Sequence, residues 1–251
     1  MSEVLEAGTV FANEWRVVKL LHAGAISHVY EAEQTSTGAR RALKVVHAPV
    51  GIDPKFREAF VEEARRASRV QSEHVAEVLS CGIDQASDKP YVALELLEGP
   101  SLAAIVSERG ALPPGEVLTL VTQLGHALTA AHDAGVIHRD LKPEGIILAR
   151  SHAAGAPQRV EVQFVGAGKV ASEALHNTTA AMGRPLWMAP EQSETDAKPS
   201  PATDVWTLGL LTFWLLTGRH YWKTGRDMGS AAMTLLREVL YEPLPPASQR
   251  A

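Results

Sequence analysis

The chain has 251 residues, 45% of them hydrophobic and 21% charged, with a net charge of −5. That length and balance suit one large globular domain or a two-lobed one, and the mild acidity gives no electrostatic case for nucleic acid or an anionic membrane. A lone cysteine, Cys81, excludes an internal disulfide and suits a reducing cytoplasm.

The chain opens on "MSEVLEAGTV", which is acidic and lacks the apolar core of a signal peptide. Residues 15–47 then hold three strand-like pieces, "WRVVKLL", "SHVYEAE" and "RRALKVV", divided by Gly and Ser/Thr turns, with "TSTG" at 35–38 as a hairpin turn. Asp53 followed by Pro54 predicts a helix start, an N-cap and then proline at the first helical position. Phe56, Phe60, Ala64 and Ala67 recur behind it at helical spacing. "YVALELL" at 91–97 predicts another strand, and "EGPS" at 98–101 a linker.

The pattern then turns helical. Val117, Leu120, Val121, Leu124, Leu128 and Ala131 share one face of a helix over 115–135, and Gly135 stops it. "GIILA" and "VEVQFV" predict short strands. Residues 201–220 and 229–241 read as helices, and the longest apolar run, "VWTLGLLTFWLLTG" at 205–218, is a buried core helix too short to span a bilayer. A sheet-rich third before a helix-rich remainder predicts two lobes, 1–97 and 98–251, joined near Glu98–Pro100.

In "RALKVV", Ala42 and Lys44 share one strand face while Leu43 and Val45 share the other. A lysine there is costly unless it reaches solvent or meets a carboxylate, and the following helix offers Glu63. Next come "HRDLKPEG" (138–145), "PLWMAPEQ" (185–192) and "DVWTLGLLTFWLLTG" (204–218). With these motifs in this order, the chain resembles the eukaryotic-like Ser/Thr protein kinases of bacteria over roughly residues 15–245. The resemblance implies an α+β, bilobal protein-kinase-like fold, with a β-rich N-lobe carrying one long helix and a mainly α-helical C-lobe. It places Lys44 as the phosphate-contacting lysine and Glu63 as its ion-pair partner. Asp140 matches the catalytic base and Lys142 the lysine that steadies the transferred phosphoryl group. Arg139 matches an arginine that pairs with a phosphorylated loop, and Asp204 the buried aspartate that braces the catalytic loop.

The pattern departs where this family holds magnesium. Aligning "VQFVGAGK" on Gly166 and Lys169 puts Phe164 at the aspartate of the Asp-Phe-Gly motif; a one-residue slip puts Gln163 there. Gly145 stands where the catalytic loop ends in asparagine. Neither Phe nor Gly has a side-chain oxygen for a hard cation. Glu161 is expected to point out of its strand. Of the glycine-rich loop only Gly24 remains, with His22 and Ser27 replacing its neighbours in the motif. The adenine side is better kept: Val29 and Ala42 match its roof, Ile147 its floor, Leu94 the back pocket, and Glu95 and Leu97 the linker.

These losses predict a catalytically inactive protein-kinase-like domain, a pseudokinase acting as a regulatory or protein-binding module. It would bind nucleotide weakly or not at all and take no cofactor, or ATP without magnesium. The alternative is a slow or metal-independent Ser/Thr protein kinase using Lys44 and Asp140. Ser172, Thr178 and Thr179 are the candidate phosphoacceptors, with Arg139 or Arg184 to receive the phosphate. The expected partner is a protein, such as an active kinase or a phosphopeptide-reading domain. The ending "EPLPPASQRA" is abrupt beside a family with further helices, which suggests a shortened C-lobe or a piece of a longer chain. The arginine that pairs with the glutamate at Glu191's position has no evident counterpart.

Overall fold

The structure, a computed structural model, describes residues 4–24, 26–47, 53–149, 159–163, 186–193, 199–226 and 232–251. Phe164, Ser172, Thr178, Thr179 and Arg184 lie outside them. The described residues fall into two compact units, one from 1–71 and 75–97 with Gln163, the other from 72–74, 98–162 and 182–251.

The first unit is a six-stranded antiparallel sheet in the order β1-β2-β3-β4-β6-β5. Its strands are β1 (Val10–Phe11), β2 (Trp15–Ala23), β3 (Ser27–Gln34), β4 (Arg40–Val46), β5 (Val78–Ile83) and β6 (Pro90–Glu95). Alternation sorts the side chains. Tyr30, Leu43, Val45, Tyr91 and Ala93 take one face and form a core with Phe11, Trp15 and Val17. Gly38 closes the β3–β4 hairpin at φ 72°, its N–H donating to Gln34 O at 2.8 Å. Helix α1 (Pro54–Ala67) starts where Asp53 accepts from Lys55 N–H at 2.9 Å. It buries Phe56, Phe60, Ala64 and Ala67 and packs on β5 and β6. Each buried Phe contributes about 1.5–3 kcal/mol.

The second unit is mainly helical. Helix α2 (Leu102–Arg109), absent from the sequence expectation, begins directly after the linker, where Ser101 Oγ accepts from Ala104 N–H at 3.2 Å. Helix α3 (Pro114–Asp133) buries the expected stripe except Val121, which is half-buried, and Gly135 ends it at φ 73°. Strands β7 (Ile146–Ala149) and β8 (Arg159–Val162) pair antiparallel, and Gln123 of α3 accepts from Val160 N–H at 2.8 Å. Helix α4 (Pro201–Thr217) buries Leu211 and Leu215 with the polar Thr203, Asp204 and Thr207. Leu210 joins Trp222 and the Leu235 and Val239 of α5 (Ala232–Tyr241) in a separate core. A last turn, α6 (Ala247–Arg250), buries Arg250. No helix among the described residues is long and apolar enough to cross a membrane.

Candidate active site

In the first unit, the sheet face opposite the aromatic core carries the residues expected at a nucleotide. Val29, Lys44 and Val92 stand in one cross-strand row; Ala42 and Leu94 stand in the next. Ala42 and Leu94 are buried, while Val29 and Lys44 are half-buried. Glu63 is half-buried on α1. At the tip of the β2–β3 hairpin, Gly24 N–H donates to Ser27 O at 3.0 Å. A Cβ on Gly24 would lie 2.8 Å from that oxygen, so hairpin closure itself demands glycine here. His22 is exposed, and the pairing of β2 with β3 slips between Leu20 and His22. The N–H of Glu95 donates to Glu77 O at 2.9 Å; Leu97 follows, half-buried, past the end of β6.

The second unit builds a catalytic-loop candidate over 138–145. Its anchor is Asp204, 1% exposed on α4. Oδ2 accepts from His138 N–H at 2.8 Å, and Oδ1 accepts from Arg139 N–H at 2.8 Å. His132, in the last turn of α3, donates from Nε2 to Oδ2 at 2.7 Å. Arg139 takes the left-handed region at φ 62°, an expensive conformation for a non-glycine residue unless its surroundings fix it. Gln192 supplies a second hold: its Nε2 donates to Arg139 O at 2.7 Å, while its Oε1 accepts from Ala189 N–H at 2.9 Å.

The loop then presents Asp140. Its N–H donates to His138 Nδ1 at 3.3 Å, and its carboxylate accepts from Lys142 Nζ at 3.0 Å. The pair is partly solvated, Asp140 34% and Lys142 46% exposed, so it orients more than it stabilises. Pro143–Gly145 forms one 3-10 turn into β7, where Ile147 is half-buried. Glu161 is buried, contrary to expectation: it lies on the same strand face as Arg159, which donates to it from Nε at 2.9 Å and Nη2 at 2.6 Å. Glu191 accepts from Thr203 Oγ1 at 2.7 Å. The buried Arg250 donates to Glu238 at 2.8 Å.

Sequence reasoning missed His132 and Gln192. A histidine in a last helical turn signals only a favourable place for a cation near the helix C-terminus. Gln192 follows Glu191 with no local signal, because its partner Arg139 lies 53 residues away.

Residues 15–246 match the protein kinase domain family. Serine/threonine-protein kinase Pkn1 of Myxococcus xanthus is 35% identical over 241 residues, covering 95% of this chain and 33% of its own length. Serine/threonine-protein kinase PknA of Mycobacterium tuberculosis is 30% identical over 243 residues, covering 95% and 54%. The chain thus spans a third to about half of these two relatives. Among solved structures, a variant of the Mycobacterium tuberculosis PknI kinase domain is 27% identical at TM-score 0.70, covering 87% of this chain and 80% of that one. A double variant is 25% identical at TM-score 0.72, covering 96% and 92%. The fold is the protein kinase fold, with its β-sheet part and its helical part.

These matches overturn two expectations drawn from the sequence. The chain was expected not to be an enzyme, and its relatives are named serine/threonine-protein kinases. It was expected to take no cofactor, or ATP alone, and kinases of this family work on ATP with a divalent metal. Two missing side chains subtract one contribution to a rate and leave the rest of the catalytic loop in place. Gly145 has no side chain, and position 164 lies outside the described residues. No three His, Cys, Asp or Glu among the described residues cluster to hold a metal.

Proposed function

The chain belongs to the protein kinase domain family, and from that premise we propose that it is a Ser/Thr protein kinase domain. It transfers the γ-phosphoryl group of ATP to a serine or threonine hydroxyl of a protein. The supporting observation is the catalytic loop, whose Arg139 N–H and C=O are both held by side chains while Asp140 stands beside Lys142 Nζ at 3.0 Å.

Asp140 accepts the proton of the substrate hydroxyl as its oxygen bonds to the γ-phosphorus, and the bond from that phosphorus to the bridging oxygen breaks to release ADP. Lys142 carries its positive charge along the phosphoryl path and keeps the Asp140 carboxylate from repelling the incoming group. Lys44 neutralises nucleotide phosphate from its row between Val29 and Val92, with Glu63 as its orienting carboxylate. Ala42 and Val29, on the same sheet face as Lys44, cover the adenine. The N–H of Glu95 is already given to Glu77, so the adenine-facing donor falls to Leu97. With Gly145 and Phe164 at the two metal-ligand positions, transfer is slow.

Beyond its substrate, the partner we assign is a second kinase acting on Ser172, Thr178 or Thr179, and the phosphopeptide-reading domain such a site recruits. A reducing cytoplasm fits its single thiol.

Incubation with radiolabelled ATP, magnesium and a generic Ser/Thr protein substrate tests the reading. Transfer should fall at least about a hundredfold in Asp140→Asn. Equal signal from wild type and Asp140→Asn would overturn it.

A further inference from the structure

We propose that Gln192 is a positioning residue for the phosphoryl-transfer step, acting through the carbonyl of Arg139; this rests on the kinase reading above.

The peptide plane between Arg139 and Asp140 sets the direction in which the Asp140 carboxylate leaves the backbone. Its N–H side is loosely held, by the 3.3 Å bond to His138 Nδ1. Its oxygen side is tightly held, by Gln192 Nε2 at 2.7 Å. The plane follows a residue at φ 62°, where a non-glycine backbone gains by rotating away. Asp204 secures the preceding amide, through Arg139 N–H at 2.8 Å. It makes no hydrogen bond to the plane itself. Gln192 therefore controls the torsion that Asp204 leaves open.

Gln192 suits this task because its own amide is fixed at both ends. Its Oε1 accepts from Ala189 N–H at 2.9 Å, and its backbone N–H donates to Ala189 O at 3.0 Å. That closes the 3-10 turn Pro190–Ser193 on itself and leaves Nε2 aimed outward at Arg139. The next residue back, Glu191, is bonded to Thr203 of α4, so the turn is attached to the helix that carries Asp204. Two side chains on one rigid frame thus hold both sides of residue 139. A misaligned base lowers the rate of transfer without altering how nucleotide binds, since the hydrogen bonds of Gln192 among the described residues run to Arg139 and to its own turn at Ala189.

The test is Gln192→Glu, which keeps the acceptor for Ala189 N–H, removes the donor to Arg139 O and sets a carboxylate against that carbonyl. Gln192→Leu removes both. Kinetics and amide hydrogen exchange are read on wild type and both variants. In Gln192→Glu, kcat should fall about tenfold or more while KM for ATP holds within about twofold. The amides of residues 140 and 141 should exchange about tenfold faster, with those of α3 and α4 unchanged. A raised KM with unchanged kcat, or unchanged exchange at residues 140 and 141, overturns the proposal. Faster exchange throughout α3 and α4 in both variants overturns it too, as the mark of a merely structural residue. Should wild type transfer no phosphate, the kinase reading fails by itself, and the positioning role falls with it while the exchange data still decide whether Gln192 holds the loop.

Discussion

Arg139 keeps its left-handed backbone, φ 62°, against the buried carboxylate of Asp204, whose Oδ1 takes its N–H at 2.8 Å. Three donors converge on that carboxylate, from His132, His138 and Arg139. Asp204→Asn would replace one acceptor oxygen with an NH2 donor, so at least one of the three meets a donor in a dry site. We expect a loss of about 1–3 kcal/mol. Urea unfolding should show a lower midpoint at unchanged slope, and an unchanged midpoint would contradict this account of the anchor.

Gly99 makes a second, purely steric point. It sits at φ 157°, and a Cβ there would run into the carbonyl of Leu148 on β7. Neither the strand nor the backbone oxygen can give way cheaply, because β7 is paired to β8 and Leu148 N–H donates to Pro100 O at 2.9 Å. Gly99→Ala should destabilise the second unit by about 1–3 kcal/mol, read from thermal unfolding. Gly145→Ala is the control: a Cβ there meets nothing within 4 Å.

Periodicity made the main elements legible. The alternation in "RRALKVV" sorted Leu43 and Val45 from Ala42 and Lys44, and the stripe from Val117 to Ala131 gave α3. Asp53 and Pro54 fixed the start of α1 through local capping chemistry. What escaped was short or non-local. Strand β5, "VLSCGI", has weak alternation and is specified by its pairing with β6. Helix α2 is eight residues with apolar side chains on most sides, and it followed a stretch read as linker. Glu161 looked exposed because strand alternation names a face without naming its partner, and Arg159 supplies that partner. The motif residues Asp140, Lys142 and Asp204 were found by resemblance. Gln192 and His132 were not, since each acts across more than fifty residues of chain.

Glu238 and Arg250 form an ion pair at 2.8 Å with both side chains about 2–3% exposed. Burial pushes the Glu238 carboxyl up. Hydrogen bonds from Thr224 and Lys223 N–H, the Thr224 hydroxyl and Arg250 together overcome it, so its pKa lies below the ordinary carboxylate value. A depressed folded-state pKa stabilises above the unfolded value and loses that contribution as pH falls through the folded one. Arg250→Met should therefore cost about 3–5 kcal/mol near neutral pH, by leaving a buried charge without its partner. It should also flatten the acid-side slope of stability below about pH 5, because the variant's carboxyl takes up its proton more readily. Urea unfolding of both proteins across that range checks both statements; parallel curves would show that Arg250 does not hold the Glu238 pKa down.

Gly145 is where the slow transfer proposed above becomes a measurable quantity. Its backbone does not require glycine: φ lies outside the left-handed region, and a Cβ meets open space. The Cβ of an asparagine fits there without moving the Pro143–Gly145 turn, and its amide oxygen is a ligand that a hard cation accepts. Combined with Phe164→Asp, Gly145→Asn gives the chain both side-chain oxygens that the family places on magnesium. Metal stabilisation of a phosphoryl-transfer transition state is worth several kcal/mol, and each 1.36 kcal/mol is a factor of ten, so the double variant should transfer phosphate at least about a hundredfold faster. The gain should depend on magnesium concentration and vanish on adding Asp140→Asn, which separates a rebuilt metal site from a change in folding. A double variant that binds magnesium yet transfers no faster would mean that the rate is limited at some step other than phosphoryl transfer, and that Gly145 and Phe164 do not set it.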